Sequence, residues 1–84
     1  MSDEELRAMA DAAIAWSAAH GVAKAGFQLV IGRQCDGQRA RVAPGLMAEV
    51  MCCEANGTRV LLDAREVLAW LDARAKHRAQ AVTR

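Results

Sequence analysis

Tyrosine is absent from the sequence, phenylalanine and proline occur once each, and there are only two tryptophans and two histidines. The aromatic shortage argues against single-stranded nucleic-acid binding, which relies on aromatic faces interleaved with basic residues. Phe27, Trp16 and Trp70 all fall on or beside expected core faces. The only serine beyond Ser2 is Ser17, inside an expected helix, and the histidines lie at a helix end (His20) and in the tail (His77). A pairing of Cys52 or Cys53 with His20 has no local nucleophile motif behind it, so no catalytic residue is expected and the chain reads as a non-enzyme. Cys35, Cys52, Cys53, His20 and His77 show neither C-x-x-C nor a paired histidine spacing, which leaves no expected metal site. The six glycines stand singly, so no phosphate-cradling loop and no cofactor is expected.

Long apolar runs are missing too. No window approaches the ~18 apolar residues of a membrane span, and Met1 is followed by Ser2-Asp3-Glu4-Glu5 instead of the basic and then apolar segments of a secretory leader. A cytoplasmic location without membrane partners is therefore expected. The cysteines are odd in number and two are neighbours; a bridge between neighbours needs a distorted peptide, so all three read as small apolar side chains in a reducing compartment.

What remains is 54% apolar and 25% charged, with net charge +1, the composition of one compact domain spanning 1–84 with a frayed basic tail from about 77. A chain this short buries only roughly 60–65% of its unfolded surface. With Trp70 and a methionine-rich stripe expected near the surface, that thin core points to a homodimer.

Ser2 to His20 reads as a helix whose start, period and stop agree. Ser2 and Glu5 form an S-x-x-E capping box, Leu6, Met9, Ala10, Ala13, Ile14 and Trp16 mark one apolar face, and Gly21 closes it. Phe27 to Val42 reads as a hairpin about Asp36-Gly37, pairing Cys35 with Gln38, Gln34 with Arg39, Arg33 with Ala40 and Ile31 with Val42. That register sends Phe27, Leu29, Ile31, Ala40 and Val42 to one face, and Gln28, Gln34, Arg39 and Arg41 to the other.

Pro44 to Ala55 admits a helix ended by Asn56-Gly57 or a strand pairing Glu54 with Arg59 and Cys53 with Val60; the helix is favoured on its good formers. Thr58 to Leu62 is a strand in either case. A second capped helix starts at Asp63-Ala64-Arg65-Glu66 and runs to about Lys76. The expected fold is thus α+β: a two-layer domain with a three- or four-stranded antiparallel sheet, strands 27–34, 38–43 and 58–62, and two or three helices on one face.

Two partial resemblances arise from this pattern. Thr58-Arg59-Val60-Leu61-Leu62-Asp63 and the helix after it resemble the strand and first helix of ribbon-helix-helix repressors, but Arg84 comes before a second helix. The αβββα order resembles a double-stranded RNA-binding domain, whose lysine cluster at the last helix is replaced here by Asp63-Ala64-Arg65-Glu66. Neither assigns a family.

Charge is uneven: residues 1–20 sum to −3 and residues 21–45 to +3. Arg39 and Arg41, on alternate positions of one strand, aim both guanidinium groups from one sheet face toward carboxylates or phosphates. The expected binding residues are Arg39, Arg41, Arg33, Gln28, Gln34 and Trp70, and the expected partner is another protein with an acidic surface. The chain reads as a small regulator, inhibitor or adaptor of bacterial, phage or mobile-element type, like anti-CRISPR proteins in size and design only. Nucleic-acid binding through the hairpin arginines and the basic end at Arg74, Lys76, Arg78 and Arg84 is the alternative.

Overall fold

The computed structural model describes residues 2–33 and 35–82, the side chains of 81 and 82 excepted. Its elements run α1 (Asp3–Ala19), β1 (Gly26–Ile31), β2 (Cys35–Asp36), β3 (Arg39–Ala43), β4 (Leu46–Glu54), β5 (Gly57–Asp63) and α2 (Ala64–Val82). The strands form one antiparallel sheet in the order β1-β5-β4-β3-β2, with both helices on its inner face. The α+β, two-layer expectation stands. The strand and helix counts do not: five strands and two helices replace three or four strands and two or three helices.

The helix starts follow the sequence closely. Ser2 Oγ accepts the Glu5 amide at 3.1 Å while the Glu5 carboxylate accepts the Ser2 amide at 3.4 Å, closing the capping box. Gly21 at φ 66° ends α1 in the left-handed region that costs a glycine nothing. At α2 the Asp63 carboxylate accepts from the amides of Arg65 (2.9 Å) and Glu66 (3.3 Å). The helix continues past the expected end near Lys76, where Arg74 and Arg78 reach the Asp3 carboxylate at 3.3 and 3.8 Å. Arg7 and Asp72, 2.8 Å apart, add another tie between the two helices.

Three expectations are corrected. Residues 46–54 are a strand, because Leu46, Ala48 and Val50 alternate inward between β3 and β5, and that burial outweighs local helix propensity. The hairpin partners also shift: β2 and β3 turn on Gly37-Gln38, so Cys35 faces Ala40, while Ile31 faces Thr58 of β5 instead of Val42. A shift of two residues preserves the faces, which is why the inward set was legible although the register was not. The expected pairing of Gln34 with Arg39 lies outside the described residues. Finally, Trp16 leaves the helix's buried stripe; it is 57% exposed and stacks on His20, with ring centroids 4.2 Å apart. Ser17 takes the buried position and donates its hydroxyl to the Ile14 carbonyl at 2.9 Å.

The core is one cluster: Leu6 and Ala10 from α1, Ala64, Val67 and Leu71 from α2, and Leu29, Ala40, Leu46, Ala48, Val60 and Leu62 from the sheet, with Ala25. The sheet cannot be flat. Its two edge strands are joined by residues 32–34, and the four steps from Ile31 to Cys35 reach at most about 14 Å, whereas four strand spacings of about 4.8 Å would separate flat edges by about 19 Å. The sheet therefore curls. A bulge between Val50 and Cys52, where Met51 and Cys52 oppose the single Arg59, supplies a bend in β4.

The curl overturns the reading of the cysteines. Cys35 lies opposite the buried Ala40 and Cys53 opposite the buried Thr58, so both side chains occupy the inner face, where they form a disulfide with Cα atoms 6.9 Å apart. Cys52, paired with Arg59, projects from the outer face and is free and exposed. None of the three is a buried apolar side chain.

Candidate functional site: the uncovered sheet face

Because both helices pack inward, the outer face of the sheet is open. A single cross-strand row runs over it, Gln28 beside Leu61, Leu61 beside Glu49, Glu49 beside Arg39 and Arg39 beside Asp36, one residue from each of the five strands. Every member is exposed. The next row on one side holds Val30, Arg59 and the bulged Met51 and Cys52, and the row on the other pairs Met47 with Arg41.

Four of the large exposed apolar side chains belong to this face: Val30, Met47, Met51 and Leu61, with Val30 the most exposed at 63%. On a chain this small they make a cluster, set among polar groups, of the kind that marks contact surfaces. A depression of about 650 Å³ is lined by Lys24, Arg39, Met47, Glu49 and Leu61 together with Asp63 and Glu66.

The two arginines differ in their surroundings. Arg39 is flanked across the strands by Glu49 on one side and Asp36 on the other, so much of its field is met within the face. Arg41 is flanked by Met47, and no acidic residue faces it on β4. Among the described residues neither guanidinium has a hydrogen bond or ion pair, and both are exposed. Arg59, by contrast, has the Glu54 carboxylate at 3.8 Å.

The other expected site residues scatter. Gln28 joins the row on the outer face. Arg33 is exposed at the bend after β1, beside Cys35, Cys53 and Thr58, away from Arg39 and Arg41. Gln34 lies outside the described residues, as does Arg84 of the basic end. Trp70 is on α2, across the molecule from the open face. Its indole Nε1 donates to the Pro44 carbonyl at 3.0 Å and its ring carries the Arg74 guanidinium 5.1 Å from the centroid, so it clamps the β3–β4 turn to the helix. Sequence reasoning expected the methionines near the surface but on a helical stripe, so it did not bring Met47 and Met51 together with Leu61 on the open sheet face, and it missed Glu49 beside Arg39 because that contact needs the β3–β4 ladder.

Two further polar features lie one on each face of the sheet. The Cys52 thiol donates to Glu54 Oε1 at 3.4 Å, and that bond, with lesser desolvation and the carboxylate's charge, pushes its pKa up. The Thr58 hydroxyl, 1% exposed on the inner face, has no hydrogen-bond partner among the described residues. No group of three or more histidine, cysteine or acidic side chains is placed to hold a metal among the described residues, and no helix there is long and apolar enough to cross a membrane. No family model matches the chain, and neither the curated proteins nor the solved structures contain a match to it.

Proposed function

We propose that the chain is a small non-enzymatic binding protein whose open sheet face docks another protein. The observation that carries this reading is the juxtaposition on one uncovered face of four exposed apolar side chains, Val30, Leu61, Met47 and Met51, with two arginines that have no partner among the described residues. An apolar strip supplies contact area, and Arg41 supplies a charge with Met47 and no acidic residue directly opposite it on β4, which favours a partner that presents apolar groups beside a carboxylate. Arg39, already set between Glu49 and Asp36, contributes to register more than to attraction.

The test starts from capture of a partner by the tagged full-length chain and its identification, and is decided by calorimetry on the purified pair. Arg41→Glu and Met47→Glu should each weaken the complex at least about tenfold, Arg39→Glu less, and Arg65→Glu on α2 not at all. Outer-face variants that bind like the unaltered chain would remove this face from the account. So would capture of nucleic acid alone with affinity collapsing between about 50 and 200 mM salt, or a dimeric mass by light scattering that Met47→Glu returns to that of a single chain.

A further inference from the structure

Cys35 and Cys53 sit at the one place where the curled sheet is closed by covalent connection and by little else. Strand β2 contributes two ladder pairs, Cys35 with Ala40 and Asp36 with Arg39, and nothing between Gly32 and Asp36 belongs to the buried core among the described residues. Its other end turns on Gly37 and Gln38, and β3 beyond Ala40 has no β2 partner among the described residues. A strand of two exposed residues is held weakly by its own ladder. The bridge to Cys53 ties it to the end of β4, and through the Cys53–Thr58 and Thr58–Ile31 pairs to the end of β1.

The bulge in β4 decides which cysteine of the adjacent pair takes part. Cys53, opposite Thr58, faces inward toward Cys35, whereas Cys52, opposite Arg59, faces outward. We propose that Cys35 and Cys53 form a reversible redox site, with Cys52 a bystander, whose substrates are a dithiol reductant in one direction and a disulfide oxidant in the other. Oxidised, the site pins β2 against the sheet; reduced, it lets β2 leave β3.

The step balances as thiol–disulfide exchange. A thiolate of the reductant bonds to Cys35 Sγ as the Cys35–Cys53 bond breaks, and Cys53 leaves as a thiolate that takes up a proton. The reductant's second thiolate then attacks its own sulfur in the mixed disulfide. It departs as a cyclic disulfide, Cys35 is released and protonated, and two electrons and two protons have passed to the chain. Both cysteines are exposed, so the exchange needs no prior unfolding. The Cys52 thiol, bonded to Glu54, is held protonated and out of the exchange. Release of β2 bares the edge of β3 and takes Asp36 away from Arg39. The thiol–disulfide step itself requires no partner at the outer face.

The experiment uses the full chain equilibrated with oxidised glutathione and then with dithiothreitol. Alkylation and peptide mass mapping of the oxidised form should find a Cys35–Cys53 bridge and an alkylated Cys52. Amide hydrogen exchange should then quicken at least tenfold on reduction at Asp36 and Arg39, the hydrogen-bonded pair that flanks the turn, while β1, β5 and α1 keep their rates. Cys52→Ser should behave as the unaltered chain in both states, and Cys35→Ser should show the reduced pattern in both. A bridge through Cys52, no bridge at all, unchanged exchange at β2 and β3, or loss of protection throughout the sheet would each overturn the proposal. The reduced unaltered chain keeps the test decisive if Cys35→Ser does not fold.

Discussion

At the scale of single residues, Cys52 and Thr58 show how position sets chemistry. A thiol reacts as its thiolate, and the hydrogen bond to Glu54 favours the protonated form of Cys52. Raising the pKa lowers the thiolate fraction at any pH below it, so Cys52 should alkylate slowly near neutral pH and faster as the pH rises. Glu54→Gln removes the carboxylate and should speed iodoacetamide alkylation of Cys52 several-fold at pH 7.5 in the oxidised protein, where Cys35 and Cys53 are blocked; an unchanged rate would show that the bond has no hold on the thiol. Thr58 raises the opposite question, since its buried hydroxyl lacks a partner among the described residues. Thr58→Val keeps the shape and removes the orphan atom, so the urea midpoint should rise, by about 1 kcal/mol in stability. A fall of that size would mean that the hydroxyl is satisfied in solution.

At the scale of elements, what the sequence made legible is what local chemistry decides. Both helix starts could be read because a capping interaction spans three residues, and the inward sets on β1 and β3 because alternation needs no knowledge of the neighbouring strand. The rest depends on contacts distant in sequence. Residues 46–54 carry good helix formers, and only the β3 and β5 ladders make them a strand. Asp36-Gly37 has the composition of a two-residue turn, yet the chain turns on Gly37-Gln38, because β1 is claimed by β5 and only two residues remain to pair with β3. The site divided the same way. The outward arginines were legible from alternation; Glu49 beside Arg39, Trp70 on the far side and the Cys35–Cys53 meeting depend on register, curl and a bulge. The start of β5 gives a direct test of its packing against β1. Gly57 has φ 146°, and a Cβ there would lie 2.5 Å from the Ile31 carbonyl oxygen, so Gly57→Ala should destabilise the fold by about 2 kcal/mol or more. Gly32, with nothing within 4 Å of its would-be Cβ, is the control, and Gly32→Ala should change the thermal midpoint little.

At the scale of the whole molecule, stabilising contacts and the proposed contact surface lie on opposite sides of one sheet. The inner face holds the core and the disulfide, and the helices are tied to each other by Arg7–Asp72 and by Arg74 and Arg78 on Asp3. The outer face carries Arg41 with no partner among the described residues and Met47 half in solvent, neither of which helps to hold the layers together. Surface changes away from caps, ladders and ion pairs cost within about 0.5 kcal/mol. Arg41→Glu combined with Met47→Glu should therefore leave the urea midpoint within that margin per site. The pair tests the division itself, because the two positions face each other across β3 and β4 and place two carboxylates side by side. If that opposed pair lowers stability by about 1 kcal/mol or less while partner binding falls at least tenfold, folding and docking are separable in this chain. If the midpoint falls by several kcal/mol, the outer face is part of the scaffold, and a loss of binding by these variants would report unfolding instead of contact.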